Sequence, residues 1–183
     1  LDAGTYNLTV TTITDDDYNP ITKEVNITVN KVNSTLTVSD IIFDYGSSGS
    51  TVVSLTGADG VNATVVGQPK AVVKVNGTNI TVSGLDAGTY TLTVTAIGDK
   101  NHNNINKNAT ITVNKLKTEL TGNAITTTYN VNKNLVITLK DITGKALSGV
   151  KVTVDLNGAK TYTTNKNGQV KVSTKGIAPK AYT

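Results

Sequence analysis

The sequence offers few side chains that could do chemistry. It contains one histidine, His102, and no cysteine. His102 stands in an Asn-rich segment, DKNHNNIN, where a related segment of the same chain has Tyr18, so we do not expect it to act as a catalytic base. No serine lies in a nucleophile-elbow sequence, and no glycine-rich phosphate loop precedes a predicted helix. We therefore expect that the protein is not an enzyme and that it uses no cofactor.

A run of acidic residues is the one candidate for metal binding. Asp15, Asp16 and Asp17 are adjacent in the segment DDDYN. Adjacent carboxylates and a loop carbonyl are the hard oxygen ligands that Ca²⁺ prefers. The spacing is not that of an EF-hand loop, and the related segment DKNHN retains only Asp99. A solvated hairpin tip is the competing interpretation, and we expect no metal centre apart from this calcium candidate.

Seven asparagines occur in Asn-x-Ser/Thr sequences, the acceptors of N-linked glycans. In an alternating strand the Asn and the Thr of NLT, NIT or NAT share one face, while the middle residue points inward. The acceptor side chain would then face solvent, although the same pattern also describes any polar strand face. The glycosylation candidates are Asn7, Asn26, Asn33, Asn62, Asn76, Asn79 and Asn108.

The charge distribution argues against nucleic acid as a partner. The net charge is +4, all 17 basic residues are lysines, and they are scattered singly along the chain. Nucleic-acid-binding proteins instead cluster their basic residues and place arginine and aromatic side chains among them. No segment approaches the roughly 20 apolar residues that a membrane-spanning helix needs, so we expect no membrane span in this segment.

Alternation of apolar and polar residues runs through the whole chain. Segments such as LTVTT, TLTVTA, TITVN and VKVTVDL have a period of two and are rich in Val and Thr. This pattern is typical of half-buried antiparallel strands. Asn-Gly pairs at 76–77, 157–158 and 167–168 indicate tight hairpin turns. No stretch has helical periodicity, and the sequence predicts an all-β protein.

The strands belong to a domain-sized repeat. Residues 1–31 return as residues 85–115, with 20 of 31 positions identical at an offset of 84. A period of this length, with about seven short strands, is typical of an immunoglobulin-like β-sandwich. We expect tandem sandwiches of which the outer two are incomplete in this chain. Residues 1–31 would be the last two strands (F and G) of one domain, residues 32–115 a complete domain, and residues 116–183 a domain without its last strands.

A tyrosine follows the same short turn in each of these three pieces. LDAGTY occurs twice, and GIAPKAYT in the third piece matches GLDAGTYT in the second. In immunoglobulin-like sandwiches a tyrosine near the start of strand F bonds back to the backbone a few residues upstream, an arrangement called the tyrosine corner. We expect this role for Tyr6, Tyr90 and Tyr182.

Together these motifs resemble the bacterial-type Ig-like repeats of adhesin-like cell-surface proteins of methanogenic archaea. The resemblance is carried by LDAGTYTLTVTAIGD with TITVNK, by DYGSSGSTVVSL, and by TYNVNKNLVITLKDITGKALSGVKVTV with TNKNGQV. It implies an extracellular location at the cell surface and a role as a structural stalk or filament-forming segment. The alternative that it leaves open is a module that itself binds glycan or protein ligands in cell adhesion.

The repeats follow one another almost without linkers, as VNK-V and VNK-L. Short connections favour a stiff rod in which copies of such repeats contact one another head-to-tail. Two interpretations of the incomplete outer pieces stay open. The chain is either an excerpt of a longer array or a protomer whose third domain is completed by residues 1–31 of another copy. The overlap of residues 1–7 with residues 177–183 favours the excerpt.

Overall fold

The computed structural model of the chain describes residues 1–13 and 16–182. These residues form strands, turns and loops but no helix. They divide into two compact units, Leu1–Lys115 and Leu116–Thr183. The prediction of an all-β protein built from immunoglobulin-like sandwiches is confirmed.

The first unit begins with a two-stranded antiparallel hairpin, β1 (Gly4–Thr11) and β2 (Thr22–Val29). Because side chains alternate between the two faces of a strand, the apolar residues of this hairpin collect on one face. That face includes the exposed side chains of Leu8, Val10, Val25 and Ile27.

Residues 32–115, which follow this hairpin in the sequence, form a two-sheet sandwich. Its strands are β3 (Val32–Asn33), β4 (Thr35–Thr37), β5 (Ile41–Asp44), β6 (Ser48–Val52), β7 (Ser54–Thr56), β8 (Ala58–Val65), β9 (Val72–Asn76), β10 (Asn79–Ser83), β11 (Gly88–Gly98), β12 (His102–Asn103) and β13 (Ile105–Asn114). We call this part of the chain the middle sandwich.

The two main sheets of the middle sandwich have the orders β5–β13–β11–β8 and β6–β10–β9. All pairings within them are antiparallel except that of β5 with β13. A short antiparallel pair, β4 with β7, and a parallel pair, β3 with β12, complete the pairing. This is the immunoglobulin arrangement, in which β8, β11 and β13 are strands C, F and G.

Inward side chains of three strands form the centre of the middle sandwich. On β10, β11 and β13, the residues without any exposed surface include Ile80, Val82, Leu92, Val94 and Ile111. They alternate with threonines and asparagines that face outward, which is the two-residue period of the sequence. Full burial of one such side chain contributes about 1.5–3 kcal/mol, so strands F and G supply much of the stability of this domain.

The described residues of the second unit, 116–182, form five strands. They are β14 (Thr118–Gly122), β15 (Asn134–Asp141), β16 (Lys151–Asp155), β17 (Ala159–Thr163) and β18 (Gln169–Ser173). Their sheets have the orders β14–β15–β18 and β16–β17. No strand equivalent to β11 or β13 occurs within residues 116–182, and the buried apolar cluster is correspondingly small: Leu139, Val152 and Val170.

Equivalent leucines of the two F strands differ in burial, and their truncation should differ in cost. Leu92 has no exposed surface, whereas Leu8 is 45% exposed. We expect Leu92→Ala to lower the free energy of unfolding of the first unit by about 2–5 kcal/mol, because it leaves a cavity. Leu8→Ala should cost less than about 1 kcal/mol. Urea unfolding of both variants in dilute solution measures the difference, and equal losses would show that the hairpin face is buried in solution.

Candidate functional site

The first unit contains a direct joint between two repeats. β3 begins three residues after β2 ends and pairs in parallel with β12. The backbone N–H of Val32 donates to the carbonyl of Asn101 at 3.0 Å, and the N–H of Ser34 donates to the carbonyl of Asn103 at 3.3 Å. The chain that leaves the hairpin is therefore hydrogen-bonded to the loop between β11 and β13, which we call the β11–β13 loop (residues 99–104).

The turn that precedes β1 contacts the same loop. Asp2 Oδ2 lies 2.9 Å from Lys100 Nζ, and Asp2 Oδ1 accepts a hydrogen bond from Asn101 Nδ2 at 3.0 Å. The backbone N–H of Ala3 donates to Asn101 Oδ1 at 2.7 Å. The side-chain amide of Asn101 thus both donates to the turn and accepts from it, and the positive charge of Lys100 neutralises the Asp2 carboxylate. We call these contacts the junction: residues 1–4 and 31–34 against the β11–β13 loop.

Asp99 shapes the β11–β13 loop from within. Its Oδ1 accepts a hydrogen bond from the backbone N–H of Asn101 and lies 2.7 Å from His102 Nδ1. These hydrogen bonds, with that of His102 the largest, hold the pKa of the Asp99 carboxyl below its ordinary value. Lys31 Nζ donates to the Asp99 carbonyl at 3.2 Å and adds a further bond from the end of the hairpin.

Two glycines, Gly57 and Gly98, approach the β11–β13 loop so closely that neither position has room for a side chain. A Cβ at Gly57 would overlap the His102 ring, and a Cβ at Gly98 would overlap the backbone of Asn103. Gly57 has a φ of +66°, which glycine adopts without strain. Ser34 is buried, with its hydroxyl 2.6 Å from the Gly57 carbonyl and 2.7 Å from the Asn103 carbonyl. His102 therefore contributes to the packing of the junction.

Each of the three turn tyrosines donates its hydroxyl to a backbone carbonyl four residues earlier. The bonds run from Tyr6 to Asp2 (2.8 Å), from Tyr90 to Asp86 (2.9 Å) and from Tyr182 to Ala178 (3.2 Å). The bond of Tyr6 closes the turn that carries Asp2, so the first tyrosine helps to hold that carboxylate at the junction.

The metal candidate receives no support from the geometry. Asp16 and Asp17 are exposed, and Asp15 lies outside the described residues. Within residues 1–13 and 16–182, no three side chains of His, Cys, Asp or Glu are grouped so that they could hold a metal ion. Calcium binding at this hairpin tip stays a prediction.

All seven glycosylation candidates are exposed: Asn7, Asn26, Asn33, Asn62, Asn76, Asn79 and Asn108. Three of them also bond to neighbouring side chains, and for Asn108 the bond is one that its Oδ1 accepts from Thr93 Oγ1 at 3.0 Å. Asn7 Nδ2 donates to Glu24 Oε2 at 3.1 Å, and Asn33 Oδ1 accepts from Asn103 Nδ2 at 3.1 Å. A glycan on Asn33 would lie beside the junction.

The second unit carries an apolar groove with a cavity of about 770 Å³. Its lining includes Leu120, Ile125, Leu135, Ile137, Ile177 and Tyr182. The repeat offset of 84 equates Leu120 with Leu36 of the middle sandwich. Leu120 is 55% exposed, whereas Leu36 is 3% exposed beneath the complete set of strands. The groove is therefore the exposed interior of a sandwich.

The sequence did not reveal the junction. The sequence predicts DKNHN only as a loop whose histidine is not a catalytic base. In the structure, Lys100 and Asn101 of this loop bind Asp2, and Asp99 and His102 bind each other. One feature of the sequence does point to it. VNK is followed by the next repeat without a linker, so the end of one repeat must lie beside the start of the next.

Comparisons with known proteins find similar folds at low sequence identity. The chain matches no protein-family model and no curated protein. Among solved structures it is similar to the D00–D0 domain of intimin (17% identity, covering 80% of this chain and 88% of that one, TM-score 0.39). It is also similar to domains 1–6 of the surface layer protein SbsC (16%, 93% and 27%, TM-score 0.37). A third is FdeC, an Escherichia coli adhesin (19%, 85% and 60%, TM-score 0.32).

The described part of the chain contains no helix with the length and apolar character needed to cross a membrane.

The ion pair of the junction changes the titration of both partners. Hydrogen bonds from Lys100 and then Asn101 lower the pKa of Asp2, and the bond to Asp2 raises the pKa of Lys100. A lowered carboxyl pKa means that Asp2 stabilises the fold above about pH 3.9 and that this contribution is lost as the pH falls through the folded-state pKa. A raised lysine pKa means that the contribution of Lys100 is present below about pH 10.4 and is lost as the pH rises through its folded-state value.

We expect Lys100→Gln to raise the pKa of Asp2 towards its ordinary value, because the largest cause of the shift is removed. Carbon-13 NMR titration of the Asp2 carboxyl in the wild type and the variant measures this. Lys74→Gln, on the exposed side of β9, is the matched control and should leave the midpoint unchanged. An Asp2 midpoint that does not respond to Lys100→Gln would contradict the contact.

We expect Tyr90→Phe to lower the free energy of unfolding of the first unit by about 0.5–1.5 kcal/mol, because the ring stays and one hydrogen bond to the Asp86 carbonyl is lost. Denaturant titration measures the change. Tyr45→Phe, at an exposed tyrosine of the same sandwich, should have a smaller effect. Equal losses of unfolding free energy in the two variants would show that the Tyr90 hydroxyl does not stabilise the domain.

Proposed function

We propose that the protein is a structural stalk or filament-forming segment of a cell-surface adhesin-like repeat protein. The observation that carries this proposal is the junction, in which one repeat is held on the next by backbone pairing and an ion pair without an intervening linker. Such a joint transmits force and orientation along an array.

The proposed mechanism is mechanical. An isolated two-stranded hairpin is marginally stable in water, so the first hairpin needs its neighbour to keep a defined position. Three points tie it to the middle sandwich: the turn at Asp2 and Ala3, the lysine at Lys31, and the strand pair that starts at Val32. Three separated points fix an orientation, whereas a single flexible connection would leave the two domains free to rotate.

The same joint is proposed to recur along the array. The turn of residues 85–88 repeats the LDAG of residues 1–4, and the Tyr90 bond closes it as the Tyr6 bond closes the first. The partners in this proposal are neighbouring Ig-like repeats in head-to-tail order.

An extracellular, cell-surface location belongs to the same proposal. It is supported by seven exposed sequons and by a lysine-rich, threonine-rich surface suited to contact with solvent. The domains bear no disulfides, since the chain has no cysteine, and so depend on packing alone. Glycosylation at any of the seven asparagines stays part of this proposal, as does the archaeal, methanogen-type origin that the motifs suggest.

Insertion of two glycines between Lys31 and Val32 tests the stiffness of the junction. In the wild-type chain we expect β1 and β2 to tumble with the middle sandwich, giving one rotational correlation time by ¹⁵N relaxation. The insertion should uncouple them, because a flexible glycine pair replaces the direct run of β2 into β3 and leaves the hairpin free to rotate about the connection. Insertion of two glycines between Asp16 and Asp17, at the exposed hairpin tip, is the matched control and should leave the coupling intact.

Independent tumbling of the hairpin in the wild-type chain would refute a stiff stalk. Specific retention of a glycan or protein ligand by the chain, lost on substitution of loop residues, would favour the other candidate, a ligand-binding module in adhesion.

A further inference from the structure

The three Asn-Gly pairs of this chain, at 76–77, 157–158 and 167–168, carry a reactive group beside a nucleophile. In such a pair the backbone nitrogen of glycine can attack Cγ of the asparagine before it. A bond forms between that nitrogen and Cγ, the bond from Cγ to Nδ2 breaks, and Nδ2 leaves as ammonia with the proton that the backbone amide gives up. Water then opens the cyclic imide to aspartate or isoaspartate. Glycine permits the attack because it has no Cβ to obstruct its nitrogen.

The surroundings of the glycine decide which pair reacts in the folded chain. The asparagine side chains of all three pairs are exposed, so access to Cγ does not distinguish them. The glycine N–H must lose its proton and then turn towards Cγ. A hydrogen bond from this N–H retains the proton, and close packing of the glycine prevents the turn. The three pairs differ in both respects.

The fold holds Gly168 in place from both sides. Its N–H donates to the Asn165 carbonyl at 2.9 Å, and its carbonyl accepts from the N–H of Leu139 at 2.8 Å. Gly168 is buried, and a Cβ on it would overlap the Leu139 carbonyl oxygen. Asn167 is also held, because its N–H donates to Asn165 Oδ1 at 2.9 Å. Neither partner of this pair is free to move towards the other.

Gly158, between β16 and β17, has space but a bonded N–H. A Cβ on Gly158 would meet nothing within 4 Å. Its N–H donates to Asp155 Oδ1 at 3.2 Å. The carboxylate attracts the amide proton, and its negative charge opposes the negative charge that the nitrogen acquires when the proton leaves. Attack on Asn157 is therefore hindered by one side chain.

Gly77, between β9 and β10, has neither restraint. Its φ is +58°, and a Cβ on it would meet nothing within 4 Å. Within residues 1–13 and 16–182, the N–H of Gly77 donates no hydrogen bond and the side-chain amide of Asn76 makes none. Asn76 is the last residue of β9, and its side chain is exposed beside this nitrogen.

We propose that Asn76 is a site of spontaneous deamidation in the folded protein, that Asn157 reacts more slowly, and that the fold protects Asn167. This inference goes beyond the proposed function and does not depend on it, since it follows from three turns within the chain. It gives the sequon at Asn76 a second fate. An N-linked glycan would be attached to the same Nδ2 that leaves as ammonia, so glycosylation and deamidation exclude one another at this residue.

The isoaspartate product would alter a turn that the middle sandwich uses. Asn76 lies opposite Asn79, and the Thr78 carbonyl between them accepts from the N–H of the buried Val53 at 2.9 Å. Isoaspartate places an additional carbon in the backbone before Gly77 and adds a negative charge. We expect the deamidated fraction, separated by ion exchange, to unfold at a lower urea concentration. A midpoint equal to that of the unmodified chain would contradict this consequence.

Peptide mapping of the full chain tests the order of the three sites. The chain is produced without glycans in a bacterial host and incubated in mildly alkaline buffer, once folded and once unfolded in guanidinium chloride. Digestion and mass spectrometry follow the conversion of each asparagine, and enzymatic methylation detects isoaspartate. The unfolded rate at each site corrects for the effect of neighbouring residues. We expect folding to slow the reaction least at Asn76, several-fold more at Asn157 and many-fold at Asn167.

Asp155→Ala tests the restraint at Gly158. Asp155 is exposed, so its truncation leaves the packing of the second unit unchanged. We expect the folded-state rate at Asn157 to rise several-fold while the rate at Asn76 in the same molecule stays constant. Asp59→Ala, which removes an exposed carboxylate from β8 in the first unit, is the matched control and should change neither rate.

Three results would overturn the proposal. They are a folded chain in which Asn76 does not deamidate, equal slowing of all three sites by folding, and a rate at Asn157 that does not respond to Asp155→Ala. None of these affects the stalk proposal, which fails only if β1 and β2 tumble independently of the middle sandwich.

Discussion

The burial of the F–G hairpin against the opposite sheet is the interaction on which the rest of this structure depends. Where it is present, in the middle sandwich, Leu36 is buried, the β5 segment is a strand, and a cluster of fifteen buried apolar residues forms. Where no such hairpin is among the described residues, the equivalent Leu120 is exposed and the apolar cluster contains three buried residues. The same residue type at the same repeat position thus has two environments, decided by one pair of strands.

The junction is a second constraint, and it differs in its physics from the sandwich interior. Its ion pair is exposed, and exposed ion pairs contribute little individually because water and salt screen them. The orientation of the hairpin at the junction is fixed instead by hydrogen bonds from backbone N–H groups and by one close approach. The amides of Ala3, Val32 and Ser34 all donate to the β11–β13 loop, and the close approach at Gly57 leaves no room for a side chain. Many small, directional contacts over a short connection specify orientation better than one strong contact would.

The strands and the fold class could be predicted from the sequence because both follow from a local signal. Alternation of Val, Leu and Ile with Thr and Asn determines which face of each strand is buried, and an offset of 84 relates one copy to the next. Burial in the first hairpin and in the second unit could not be predicted in this way. Leu8 and Leu92 stand in nearly identical sequences, yet only Leu92 is covered, because burial depends on which other strands are present. The junction was also hidden, since the partners of Asp99 and Asn101 are 2 to 99 positions away in the sequence and belong to loops without periodicity.

The division of the junction into backbone and side-chain contacts bears on how such repeats can be arranged. The bonds of Val32 and Ser34 use main-chain atoms, so any repeat of this fold can make them. The contacts of Asp2 depend on Lys100 and Asn101, and the corresponding residues of the first hairpin are Asp16 and Asp17. An LDAG turn placed against a loop of that second kind would set carboxylate beside carboxylate in place of an ion pair. Main-chain bonds of this kind are therefore open to any repeat of the fold, whereas the ion pair of the junction needs the lysine that this loop carries at Lys100.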